Sequence, residues 1–217
     1  MKKNVTELVF ILDRSGSMAG LEADTIGGFN AMLAKQQKAE GEAIVTTVLF
    51  DHQYELLHDR INVKGISPMT DEDYEVRGTT ALLDAIGFTI QKIVNVQKKT
   101  SDEERAEKVL FVITTDGMEN ASHEFTADKI KKMVQHQKVK YGWEFLFLGA
   151  NIDAVTTAAK FGIEEDFAVD YHSDEVGTQL NYEAVNEAVC NIRSGKKIER
   201  NWKEGIERDY SRRSKNI

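Results

Sequence analysis

The sequence predicts an α/β fold: a doubly wound, mostly parallel central sheet of about six strands, with one antiparallel edge strand and helices on both faces. Three observations carry this reading. Leu8-Val9-Phe10-Ile11-Leu12 and Val109-Leu110-Phe111-Val112-Ile113 are uninterrupted apolar runs rich in β-branched and aromatic residues, as in strands covered on both faces. Such runs alternate with segments of helical periodicity, which is the pattern of βαβ units. Right-handed crossovers then distribute the helices over both sides of the sheet.

Taken in order, the first strand ends at Asp13. Leu21, Ile26, Phe29, Met32 and Leu33 follow at helical spacing until Gly41. Ala43 to Phe50 is the next apolar strand. Tyr54 to Ile61 returns with mixed polarity, as an antiparallel edge strand does, although His52-Gln53 is a poor hairpin turn. Residues 62–79 are irregular and acidic and read as a solvated loop. Leu82, Leu83, Ile86, Ile90, Ile93 and Val94 mark a long helix with one apolar face, and the charged stretch 98–108 reads as an exposed connection. A strand ending at Asp116 leads to a helix over about 126–140, and Trp143 to Leu148 is a further strand. Asp153 caps a short helix closing at Gly162, Phe167 to Val169 is a last short strand, and Ser173 is the N-cap candidate of the final core helix, which runs to Gly195.

The parallel strands end in Asp13, Asp51, Asp116, Asn151 and Asp170, so one edge of the sheet collects carboxylates and amides. Unpaired, such a cluster is costly through repulsion and desolvation, and a divalent cation would relieve it. The alternative is that each acid caps a helix, which suits Asp51 and Asp170 best. The segment Asp13-Arg14-Ser15-Gly16-Ser17 sharpens the choice. Three oxygen-bearing side chains at alternate positions, with a glycine between two of them, can curl around one point where open α/β sheets bind ligands. One carboxylate and two hydroxyls suit a hard cation, although Asp, Ser and Gly also dominate ordinary turns.

Two more segments belong with it: Gly78-Thr79-Thr80 before a helix, and Thr115-Asp116-Gly117 after a buried strand. Asp-x-Ser-x-Ser, Gly-x-Thr and Thr-Asp-Gly in this order resemble the metal-ion-dependent adhesion site of von Willebrand factor type A domains, over about residues 5–190, in the manner of intracellular bacterial or phage members. The resemblance implies Asp13, Ser15, Ser17, Thr80 and Asp116 as metal ligands. Thr79 adjoins Thr80, and either serves as ligand or as helix cap. The implied cofactor is Mg²⁺, with Mn²⁺ or Ca²⁺ equally acceptable to such oxygens. The implied function is a protein-binding module in which an Asp or Glu of a protein partner completes the coordination. Asp84 and Glu119 lie in the same loops and suit either water orientation or a structural role.

Composition limits the alternatives. With one cysteine, Cys190, there is neither an internal disulfide nor a cysteine-cluster zinc site, and its place on an apolar helix side favours packing. The basic start Met1-Lys2-Lys3 precedes an apolar run too short for export or a membrane span, so the expectation is a cytoplasmic protein without a membrane partner. With a single proline, Pro68, and no low-complexity linker, residues 1–195 read as one domain and 196–217 as a basic C-terminal helix or tail. From Arg193 onward nine Lys/Arg stand against four Asp/Glu, leaving −13 for the remainder of a chain of net charge −8. Trp202 and Tyr210 interleave with those charges, but the acidic whole argues against nucleic acid; the alternatives are an amphipathic helix folded back on the acidic body of its own domain and a tail from which a longer assembly continues. The rival functions are a metal-dependent hydrolase or phosphotransferase and a structural adaptor subunit of an ATPase-type complex. The chain has no P-loop and no Gly-x-Ser-x-Gly elbow, His123-Glu124 lacks a second zinc-binding histidine, and the position two after Asp13 is Ser15 rather than an acid, so no catalysis is expected.

Overall fold

The computed structural model describes the backbone of residues 2–214 and the side chains of 5–214. Six strands form one sheet: β1 (Lys2–Asp13), β2 (Glu42–Phe50), β3 (Tyr54–Asn62), β4 (Ala106–Asp116), β5 (Glu144–Ala150) and β6 (Ala168–Tyr171), in the order β3-β2-β1-β4-β5-β6. All neighbours are parallel except β2 and β3, which makes β3 the antiparallel edge strand expected from its mixed polarity. The chain builds outward from β1 to β3, then crosses back to start the other half at β4. The switch point of the doubly wound sheet therefore lies between β1 and β4, with Leu12 beside Thr114.

Because strand side chains alternate, β1 feeds two cores. Leu8, Phe10 and Leu12 face α1 (Glu22–Lys38) and α5 (Glu175–Arg193), whereas Val9 and Ile11 face α2 (Leu82–Lys99), α3 (Ala127–Tyr141) and α4 (Ala154–Lys160). Helix ends follow local chemistry. Thr126 and Asp153 accept main-chain N–H bonds from Lys129 and Thr156, as N-caps do. Gly142 ends α3 in the left-handed conformation that costs glycine least.

Three sequence expectations change. Asp174, not Ser173, caps α5, accepting from Gly177 N at 2.9 Å. The loop expected to be solvated is tied down: Val63, Ile66, Met69 and Tyr74 are buried, and Asn30 bonds both polar groups of the Met69 backbone at 2.8 Å. Apolar residues spaced through an acidic loop anchor it to α1 without any periodicity. The charged stretch before β4 is shorter than expected, since α2 runs to Lys99 and β4 begins at Ala106.

Beyond α5, a 3₁₀ turn (Arg200–Lys203) and α6 (Glu204–Ser214) pack on β6 and α5. Trp202 is buried and donates to Asp166 O at 2.8 Å, and Lys203 donates to Glu165 O and Ala168 O at 2.7 and 2.8 Å. The proposed basic segment's last residues, 215–217, lie outside the described residues. Among the described residues no helix is long and apolar enough to cross a membrane.

Candidate metal centre

The five expected ligand positions meet at the switch point. Asp13 ends β1, and the 3₁₀ turn Gly16–Met18 curls the following loop back, anchored by buried Met18. Asp13 Oδ1 accepts from Ser15 N at 2.7 Å, and Oδ2 accepts from Thr115 Oγ1 at 2.6 Å and from Asp116 N at 3.3 Å. Thr80 Oγ1 donates to Ser15 Oγ at 2.9 Å, and Ser15 Oγ lies 3.2 Å from Ser17 Oγ. Gly117 has φ +145°, and a Cβ there would sit 3.1 Å from Ser17 Oγ and 3.9 Å from Thr80 Oγ1, so a bare backbone lets β4 close on both hydroxyls. Asp13, Ser15, Thr80 and Asp116 are buried, while Gly16 and Ser17 are exposed. The cluster therefore reaches solvent beside Ser17.

Neighbouring loops hold this geometry. Gly16 N donates to Gly78 O at 3.2 Å, and Arg77 N to Arg14 O at 2.9 Å. Asn120 brackets Thr80 in both directions, its side chain accepting from Thr80 N at 2.9 Å and its N–H donating to Thr80 O at 3.0 Å. Tyr74 O–H donates to the Asp13 carbonyl. Glu119 accepts from Leu83 N at the start of α2, and Asp84 accepts from the N–H groups of His123, Glu124 and Phe125, so both acids organise backbone. Asn151 Nδ2 and Ser173 Oγ donate to the two oxygens of Asp116, each at 2.5 Å.

Of the acids at strand ends, Asp170 accepts from Ala154 N at the start of α4, the helix that Asp153 caps. Asp51 is wholly buried and pairs with Arg77 at 2.9 Å, with Arg14 Nε 3.8 Å away. Arg14 is 2% exposed, and its guanidinium reaches Glu55 at 2.7 Å. Sequence reasoning missed Tyr74 and Ser173 at the site. The sequence marks Asn151 only as a strand end; here it adopts a left-handed φ of +55°, which asparagine tolerates.

The charge pattern is selective. Five acids are buried among the described residues: Glu7, Asp13, Asp51, Asp116 and Asp209. Glu7, Asp51 and Asp209 each pair with an arginine, at 2.7, 2.9 and 2.5 Å. Asp13 and Asp116 adjoin one another and have only neutral donors among the described residues. Burial pushes the Asp13 carboxyl above its ordinary value, against hydrogen bonds from Ser15 and Thr115 that favour the anion. Buried Tyr171 stays protonated because burial, and then the field of Asp116, raises its phenol. No group of three or more His, Cys, Asp or Glu poised for a metal occurs among the described residues. The donor set is instead two carboxylates and three hydroxyls, which fits a hard divalent ion with room for water.

The sequence matches no family model and no curated protein. Solved structures are similar to it in fold. Proximal thread matrix protein 1 from the mussel byssus aligns with TM-score 0.60 at 11% identity, over 86% of this chain and 46% of that one. The D319A mutant of the PilB minor pilin from Streptococcus sanguinis aligns with TM-score 0.60 at 11% identity, over 85% and 61%. The von Willebrand factor type A structure from Catenulispora acidiphila aligns with TM-score 0.56 at 11% identity, over 86% and 42%. The chain has the von Willebrand factor type A fold. It spans about half the length of the solved structures that it matches. A further structure of the mussel protein, at TM-score 0.55 and 12% identity over 85% and 46%, has a zinc-occupied metal-ion-dependent adhesion site motif.

Proposed function

We propose that this chain is a divalent-metal-dependent protein-binding module, with Asp13, Ser15, Ser17, Thr80 and Asp116 holding the ion. The observation that carries the reading is that the two adjacent buried acids without an arginine are the two at the switch point. Three neutral hydroxyls and two carboxylates only balance a 2+ charge. A bound Mg²⁺, Mn²⁺ or Ca²⁺ would supply a Lewis-acidic centre for an incoming carboxylate. The chain's residues do the rest: Ser15 N and Thr115 orient Asp13, Asn151 and Ser173 orient Asp116, and the Asn120 bracket sets the height of Thr80. Solvent access beside Ser17 gives a partner's Asp or Glu its approach. The zinc-occupied motif of the mussel protein supports the assignment through a shared fold. A non-enzymatic role and a cytoplasmic setting belong to the same proposal; the unpaired Cys190 suits a reducing compartment.

The test is calorimetric titration of metal-free protein with Mg²⁺ and Mn²⁺, followed by pull-down with and without chelator. Binding of the ion that disappears in Asp116→Ala, together with a partner retained only when metal is present, is the expected result. No ion binding up to millimolar concentration, or metal-dependent phosphatase or esterase turnover abolished by Asp13→Ala, overturns it.

A further inference from the structure

On the face of the sheet covered by α2, α3 and α4, helices α2 and α3 part along their outer sides into an open groove of about 610 Å³. Residues three, four and seven positions apart share one side of a helix. The groove draws on two such stripes: Val94 and Lys98 from α2, and Lys129, Lys132, Met133 and His136 from α3. Val94 and Met133 are half-buried where they pack on the core and form an apolar floor, while the lysines and His136 are exposed along the rims.

The charge of this face is opposite to that of the molecule. Together α2 and α3 carry eight lysines against two aspartates, in a chain of net charge −8. Lys98, at the end of α2, suits the helix dipole, but Lys129 stands in the first turn of α3, where a cation opposes it. Helix stability therefore does not account for the rim. Nor does pairing. Lys92 and Lys138, which do not line the groove, meet Asp59 at 2.8 Å and Glu164, whereas Lys98 and Lys132 have no acidic partner among the described residues. Lys129 donates to the Glu124 carbonyl at 3.3 Å and lies over the Phe125 ring, 4.1 Å from its centroid.

We propose that this groove docks an acidic amphipathic helix of a protein partner. The helix would lay its apolar side on Val94 and Met133, and its Glu or Asp side chains would pair with Lys98 on one rim and with Lys129 and Lys132 on the other. Such helices are read through apolar anchors at i, i+3, i+4 and i+7, and complementary rim charges fix their register and speed encounter. A long polyanion such as RNA would meet the field of the acidic body beyond the groove. A short acidic helix meets chiefly the lysines within one Debye length, about 8 Å at physiological salt. The groove uses the second half of α2, away from its start at the metal centre, so docking does not depend on the ion.

The experiment is fluorescence anisotropy of the whole chain with a labelled peptide of about 18 residues, long enough to turn helical, made of Glu, Ala and Leu with leucines at i, i+3, i+4 and i+7. A peptide of the same composition with shuffled leucines and an oligo-uridylate are run beside it. The variants are Lys98→Glu combined with Lys132→Glu, Met133→Gln, and Asp116→Ala, each first checked for native circular dichroism. Lys98 and Lys132 are exposed, so their reversal leaves the core intact. The expected result is saturable binding of the patterned peptide below about 1 mM. Binding should weaken about tenfold or more in the double reversal, weaken in Met133→Gln, and stay unchanged in Asp116→Ala or with chelator. Absence of saturable binding at millimolar concentration, equal binding of the shuffled peptide, or binding that ignores the double reversal overturns the proposal. So does tighter binding of oligo-uridylate, loss of the peptide on chelation, or self-association that the double reversal abolishes, which would give the groove to a second copy of the chain.

Discussion

Ser173 Oγ donates to Asp116 Oδ2 across the gap between β6 and β4, which joins the start of α5 to the candidate metal centre. The next residue, Asp174, both caps α5 and receives the guanidinium of Arg213 from α6. Burial raises the Asp174 carboxyl, but the Arg213 fork and the Gly177 N–H outweigh it and hold the group below its ordinary value. Ser173 is therefore seated on a segment pinned from both sides.

Ser173→Ala tests what that bond does. It leaves one Asp116 oxygen unoriented without opening the core, so the loss of stability is expected to stay within about 1 kcal/mol. Affinity for Mn²⁺, read by calorimetry, is expected to fall about 10-fold or more, as when an orienting partner of a ligand is removed. Unchanged affinity would show the bond to be incidental.

Arg14→Met removes a cation from a wholly buried neighbour. Asp51 keeps Arg77, but the Glu55 bridge and the nearby positive charge of Arg14 are lost. Urea denaturation should show a loss of about 3 kcal/mol, the lower end of what breaking a buried pair costs. Glu55→Gln should cost under about 1 kcal/mol, because Glu55 is half exposed.

Tyr74→Phe deletes the hydroxyl that serves the Asp13 carbonyl and keeps the ring volume. The buried carbonyl is then short of a donor, for a cost of about 1–3 kcal/mol in denaturation. A value near zero would mean that the 62–79 loop is held by its apolar anchors alone.

His58 gives a pH signature. It is buried, with Nδ1 3.0 Å from Thr47 Oγ1, and burial holds its imidazole below the ordinary value of 6.5, against a Ser67 main-chain contact and the charge of Asp73. The unfolded chain takes up the proton first, so stability rises with pH up to about 6.5 and is lost as pH falls below it. Thermal melts in metal-free buffer from pH 7.5 to 5 should fall less steeply in His58→Gln; equal slopes would remove His58 as the cause.

The strands were legible because burial on both faces leaves unbroken apolar runs, and β3 stood out by lacking one. Asp13, Ser15, Ser17, Thr80 and Asp116 were legible because each follows a strand or precedes a helix in a short, spaced pattern. Arg14 was not, since its partners come from elsewhere, Asp51 from the β2–β3 turn and Glu55, 41 positions away, from β3. Ser173 and Tyr74 share that difficulty: their meaning is a contact with residues 57 and 61 positions distant. Neither periodicity nor propensity records such contacts.

The register of β1 against β4 also sets when this centre can exist. Asp13 and Asp116 lie 103 positions apart, and their strands meet only after a large loop closes. Non-local pairing of this kind is a slow step in assembly. While the ribosome is still short of β4, the nascent chain presents the Asp-x-Ser-x-Ser loop with half its carboxylate charge. By the proposed function, ion capture would follow the joining of the two halves of the sheet rather than guide it, and a chain truncated before residue 106 would be metal-blind.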